Sequence, residues 1–195
     1  MLALLSPSPK EWVEIACDRL PVLLADHAHC ELKAAQSALS LVARFGAEAP
    51  EIIAPLSALA QEETQHFEQV HQALAARGEG MQLPSSDAYV GALRQAARSD
   101  HQEAPALLDR LLVSALVEAR SCERFQLLAR HRALGEELCA WYEALMFSEA
   151  RHYTLFRGLA EDRFGRERCR QRLATLAARE AAIVDALPLG PTVHG

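Results

Sequence analysis

The chain has 195 residues, half of them hydrophobic, with a formal net charge of −6, which is enough apolar material for one sizeable core. Ala and Leu are abundant, aromatics make up only 6% and β-branched runs are absent, so the composition reads as all-helical. No run of eighteen apolar residues offers a membrane span, Met1 to Leu5 is too short and lacks the basic start of a signal peptide, and five cysteines without a Cys-x-x-Cys spacing fit a reducing, cytoplasmic compartment better than a disulfide framework.

Breakers set the expected elements in chain order. Ser8 and Pro9 open a short helix ending near Arg19, and Pro21 sits in the first turn of the next, which runs to Phe45 and stops at Gly46. Pro50 and Pro55 mark the entry to a third helix that ends at the Gly78 and Gly80 breaks. Pro84, Ser85, Ser86 and Asp87 cap a shorter helix to about Arg98. A helix from about Ala104 to Leu134, a turn at Gly135, a helix to about Arg163, a break at Gly165 and a last helix to Leu187 complete the series. Gly46 and Gly135 permit two tight antiparallel hairpins, and 78–103 is long enough to cross from one to the other. The expectation is all-α: a ferritin-like four-helix bundle with one long crossover and additional N-terminal, crossover and C-terminal helices. Residues 1–187 form a single domain in this reading, and 188–195 form a loose tail.

Two Glu-x-x-His motifs stand 86 residues apart, Glu63 with His66 and Glu149 with His152. Each interrupts an apolar stripe: Leu56, Leu59, Glu63, His66, Val70, Leu74 in one, and Leu138, Tyr142, Leu145, Glu149, His152, Phe156, Leu159 in the other. At ~3.6 residues per turn, each Glu and His share the face that should be buried. A buried carboxylate needs a partner or a metal. Glu31 lies 32 residues before Glu63, and Glu118 lies 31 before Glu149, each on an apolar stripe of its own. Glu123 competes with Glu118, but it is 26 residues from Glu149 and one place off the stripe. A lone Glu-x-x-His is common by chance; the repeat of Glu then Glu-x-x-His at matched spacing is the pattern of a dinuclear carboxylate site in a helical bundle. The expected ligands are therefore Glu31, Glu63, His66, Glu118, Glu149 and His152.

Four carboxylates and two imidazoles suit iron or manganese better than four-coordinate zinc. Their four negative charges balance two divalent ions. Such a site can serve O2-dependent hydroxylation, iron oxidation for storage, or peroxide handling. Two intact Glu-x-x-His motifs argue against storage, and the lack of Cys-x-x-Cys argues against a rubrerythrin-like peroxidase.

Charge is uneven: residues 1–100 carry 7 basic and 13 acidic side chains, and 101–195 carry 13 of each. Arg163, Arg166, Arg168, Arg170 and Arg172 cluster with only Glu167 among them. Such a run is ordinarily a solvated helix face; because Arg suits phosphate, it is also the candidate nucleic-acid contact.

The segments around Glu31 (His27 to Ala35), Glu63 (Glu62 to Phe67), Glu118 (Glu118 to Phe125) and Glu149 (Ser148 to Tyr153) together resemble the bacterial tRNA 2-methylthio-N6-isopentenyladenosine hydroxylase family over nearly the whole chain. The resemblance implies a non-haem di-iron monooxygenase that hydroxylates the isopentenyl side chain of the hypermodified adenosine 3′ of the anticodon. It also implies two iron ions per chain on the six residues above, O2 as co-substrate and an external two-electron donor such as a ferredoxin or flavoprotein reductase. Partners would be the tRNA anticodon loop and that donor, with no membrane and a monomer favoured. A base projecting from the loop could stack on an aromatic ring; Phe125, Trp141, Tyr142 and Tyr153 lie near the ligand positions, where core packing is their default role. The alternative is a ferritin-like iron-oxidising or peroxide-handling protein that does not act on tRNA.

Overall fold

A computed structural model of the chain describes residues 2–83, 87–99 and 104–194. The described residues form seven α-helices and two short 3-10 turns, with no strand among them: α1 (Lys10–Asp18), α2 (Leu20–Phe45), α3 (Ile53–Ala75), α4 (Ala88–Ser99), α5 (Ala106–Arg130), α6 (Glu136–Phe164) and α7 (Arg166–Ala186). Two long hairpins, α2 with α3 and α5 with α6, joined by a connection that carries its own helix, make the ferritin-like layout. Among the described residues no helix is long and apolar enough to cross a membrane. The chain divides into two units, Asp18–Ser86 with Pro191–Val193, and Met1–Cys17 with Asp87–Gly190 and His194–Gly195.

In the first unit α2 and α3 bury the faces their periodicity marks. On α3 these are Leu56, Leu59, Ala60, Glu63, His66, Val70 and Leu74. On α2 they include Leu24, His27, Ala28, Glu31, Ala35, Ala38 and Phe45. The turn between them depends on close approach. Gly46 keeps right-handed helical angles and its N–H donates to the Val42 carbonyl at 2.8 Å. A Cβ on Gly46 would stand 2.6 Å from that oxygen and 3.2 Å from Cγ1 of Ile53, which no side chain tolerates without a shift. A 3-10 turn over Pro50–Ile52 then leads into α3.

In the second unit α4, α6 and α7 all pack on α5, so α5 is buried on most of its circumference rather than along one stripe. It ends at Arg130, four residues before the Leu134 that the sequence suggested. His131 leaves helical angles (φ −86, ψ 88), and Arg132–Leu134 form a separate 3-10 turn before Gly135. The His131 carbonyl accepts the Leu134 N–H at 3.0 Å within that turn and the Cys139 thiol of α6 at 3.4 Å. Gly135 (φ 84) and Gly165 (φ 85) start α6 and α7 from backbone angles that L residues avoid. Asp87 caps α4, accepting the Val90 N–H at 2.9 Å; Pro84, Ser85 and Ser86, which the sequence placed in the same cap, lie outside the described residues.

The tail is not loose where it is described. Within the first unit the Val193 N–H donates to Asp26 at 2.7 Å, and Val193 is buried. Within the second, His194 is buried, lies stacked on Tyr89 at 5.3 Å between centroids, and is hydrogen-bonded to Ser121 at 3.1 Å. Pro and Gly at 188, 190 and 191 end the helix, as expected, but these later polar contacts hold the segment that follows.

Candidate metal centre

In the first unit one turn of α3 presents Glu63 and His66 on the buried face, and α2 presents Glu31. His66 Nδ1 lies 3.0 Å from Oε2 of Glu63 and 3.8 Å from Oε2 of Glu31. All three side chains are buried, and each offers one ligand atom within 4.8 Å of the others. The other nitrogen of His66 points towards Glu62, 3.9 Å away on the same helix. Nδ1 is thus the nitrogen that faces Glu31 and Glu63. Beyond the triad, His27 is completely buried, with Nε2 2.7 Å from Oε1 of Glu31.

The second unit repeats the arrangement. α6 presents Glu149 and His152 one turn apart, and α5 presents Glu118. His152 Nδ1 is 3.8 Å from Glu149 and 4.0 Å from Glu118, and all three are buried. Glu123, the competing residue on α5, does other work. Its two oxygens accept from the N–H and hydroxyl of Ser8, each at 2.7 Å, and from Arg120 at 2.8 Å. It ties the N-terminal segment to α5.

The donor chemistry fits metal ions. Each triad sets two carboxylates and one imidazole in a site largely shut off from water, where like charges at this spacing repel strongly. Metal–ligand bonds of ~2.0–2.2 Å bring the donors around one ion to within about 4.4 Å of each other, comparable with the separations seen here. Oxygen-rich sets of this kind suit iron or manganese.

The arginine cluster divides. Arg163, Arg166, Arg168 and Arg170 are exposed, although Arg170 is held by Glu167 at 2.7 Å and Arg166 lies 3.8 Å from Glu161. Arg172, grouped with them from the sequence, is buried. Its Nε and NH2 donate to both oxygens of Asp109 on α5, at 2.7 and 3.0 Å, and NH2 also reaches the Ala97 carbonyl of α4 at 3.2 Å. Arg172 therefore belongs to the packing of α7 and cannot meet a phosphate. Of the candidate stacking aromatics, Phe125, Tyr142 and Tyr153 are buried, with Phe125 and Tyr142 5.5 Å apart between centroids, while Trp141 is half-buried.

A second polar group at α5 has no local signature. Arg120, fully buried, donates to Glu180 of α7 at 2.8 and 3.0 Å and to the Ser6 carbonyl at 2.9 Å. The Tyr89 hydroxyl donates to the same Glu180 at 2.9 Å. Burial, then Glu180, pushes the Tyr89 hydroxyl well above its ordinary range. Burial pulls Arg120 down, but Glu180 outweighs it and leaves the guanidinium above its usual value. Arg124 stacks over Trp12 of α1 at 4.7 Å; burial, with Arg120 beside it, lowers it to about 10. Hydrogen-bonded buried charges of this kind join α4 and α7 to α5, and the Arg124–Trp12 stack joins α1 to it.

Long helical hairpins that each carry a buried Glu, Glu, His triad define a ferritin-like fold with donor sets compatible with metal ions. The chain belongs to the tRNA-(MS[2]IO[6]A)-hydroxylase (MiaE) family, whose model matches residues 2–195, and it is accordingly a hydroxylase. It is 42% identical over 156 residues to the tRNA 2-(methylsulfanyl)-N(6)-isopentenyladenosine(37) hydroxylase of Pseudomonas putida, a match covering 80% of this chain and 74% of that one. It is 33% identical to the protein of the same description from Salmonella typhimurium, with the same shares covered. Among solved structures it is similar to protein 43 with aldehyde deformylating oxygenase activity from Synechococcus, with a TM-score of 0.88 and 36% identity over 98% of this chain and 95% of that one.

Proposed function

We propose that this protein is a cytoplasmic, O2-dependent di-iron monooxygenase that hydroxylates the isopentenyl side chain of 2-methylthio-N6-isopentenyladenosine in tRNA, next to the anticodon. The observation that carries the reading is the pair of buried triads, Glu31, Glu63, His66 and Glu118, Glu149, His152, in a chain of this family. These six residues hold two iron ions, and four carboxylates neutralise their charge.

Iron held this way supplies O2 activation: one oxygen atom enters a terminal C–H bond of the side chain, and the other leaves as water with two electrons from an external donor and two protons. The chain's residues supply the setting. Burial of both triads keeps bulk water from the reacting face, which protects an oxidising reaction from being quenched. Nδ1 of each histidine faces the glutamate one turn before it, so both kinds of donor in each triad are directed towards one another. Exposed Arg163, Arg166, Arg168 and Arg170 are the tRNA-phosphate contacts in this proposal.

The test is direct. Iron-loaded protein, labelled O2, a chemical reductant and tRNA bearing the modified base should yield a nucleoside with one labelled oxygen. Iron oxidation without oxygen entering the nucleoside would refute the reading and favour an iron- or peroxide-handling role. Neutralising the four exposed arginines together should weaken tRNA binding and flatten its salt dependence by ~0.9 per lost contact for duplex, or ~0.7 for single-stranded, phosphates. Turnover of the free modified nucleoside should stay as in the wild type. Equal loss on both would remove the arginines from tRNA binding.

A further inference from the structure

His27 has no place in the triad, yet it is completely buried and 2.7 Å from a carboxylate that is in it. The two oxygens of Glu31 are divided between neighbours: Oε1 faces His27 Nε2, and Oε2 faces His66 Nδ1 at 3.8 Å. Resting on the metal assignment above, we infer that His27 is a positioning residue: it holds Oε1 of Glu31, so that this ligand meets its metal ion through Oε2 alone.

A carboxylate ligand has more than one way to bind. It can bind a metal ion through one oxygen or two, and little opposes the change unless one oxygen is already engaged. An N–H donated to an ionised carboxylate is among the stronger hydrogen bonds, and burial removes the water that would compete for it. His27 and Glu31 lie one turn apart on α2, on the same face, so the rigid helix sets their separation. The hydrogen bond also selects the tautomer that carries the proton on Nε2. Partners that orient a ligand in this way ordinarily matter to metal affinity nearly as much as the ligand does.

The second triad has no histidine at the matching position. The position one turn before Glu118 on α5 is Ser114, which is half-buried and too short to take the place of an imidazole. The two triads therefore differ at a residue that is not a ligand.

The experiment is a titration of the full-length apo-protein with cobalt(II), followed by its visible spectrum, and with iron(II), followed by Mössbauer spectroscopy. His27→Met fills the same space without a donor; His27→Gln restores an N–H. In His27→Met one of two equivalents should weaken tenfold or more and its spectrum should change, while the other equivalent keeps the wild-type signal. His27→Gln should return both affinity and spectrum towards wild type. A His27→Met protein that binds two equivalents with wild-type affinity and spectra overturns the inference. So does equal impairment in Met and Gln variants, because packing rather than the hydrogen bond would then be responsible. Should the Met variant fail to fold, the Gln variant decides: a wild-type spectrum supports the role and an altered one overturns it. Wild-type protein that binds fewer than two equivalents would sink the metal assignment itself, a result distinct from failure of the His27 role.

Discussion

Replacing Arg172 by alanine separates two roles that the sequence alone leaves open, phosphate contact and structural ion pair. In the structure its guanidinium donates to both oxygens of Asp109 at 2.7 and 3.0 Å, and both side chains are buried. Removing one partner of such a pair leaves the other charge buried without compensation, which typically costs ~3–5 kcal/mol. The Ala97 carbonyl loses a donor as well. For a chain of this size each kcal/mol moves the melting temperature by ~2–4 °C, so the loss should be on the order of 6–20 °C. The assay is thermal unfolding by circular dichroism, with tRNA affinity measured well below the transition. Affinity there should be that of the wild type. The double variant Arg172→Leu with Asp109→Leu should recover much of the lost stability, because apolar groups can replace a buried pair at little cost. An Arg172→Ala protein with unchanged melting temperature and weakened tRNA binding would refute the structural role.

Further outcomes follow from other contacts. Glu118→Ala should lose metal and hydroxylation. Glu123→Ala should keep both and become more susceptible to proteolysis near Ser8, because its bonds go to that segment; the opposite pattern in metal titration would exchange their roles. Gly165→Ala should destabilise by ~1–3 kcal/mol, a purely backbone effect at φ 85, since its Cβ would meet nothing within 4 Å; an unchanged melting temperature would contradict this. The Cys122 thiol is raised to about 11 by burial and then by Glu123. Its alkylation by iodoacetamide in folded protein should therefore reach half-maximal rate near pH 11, rather than near the ordinary 9.0. Because the folded value is the higher one, the stability contributed by the protonated thiol is complete below about pH 9 and is lost as pH rises through about 11; a labelling midpoint near 9 would refute the burial argument.

Local periodicity made both triads legible. A charged residue on an apolar helical stripe is buried whatever the stripe packs against, so Glu31, Glu63, His66, Glu118, Glu149 and His152 could be found without knowing the partner helix. The hairpin turns were legible from their glycines, although for different reasons: Gly135 leaves helical angles, while Gly46 keeps them and lets the chain approach too closely for a side chain. The same rule applied to α7 reaches Arg172 and Glu180, which share its buried face with Cys169, Leu173, Leu176, Ala177 and Val184. Read by composition as one basic run, Arg172 joined neighbours that point elsewhere. Other features depended on tertiary structure alone. Helix α5 is buried nearly all round because three helices pack on it, and nothing within its own sequence counts those neighbours. Arg120 finds Glu180 sixty residues away, and His194 finds Tyr89 and Ser121 from beyond a Pro- and Gly-rich stretch that reads as loose. Periodicity says which face of a helix turns inward; which side chain waits there to receive a buried charge is decided only when the helices pack.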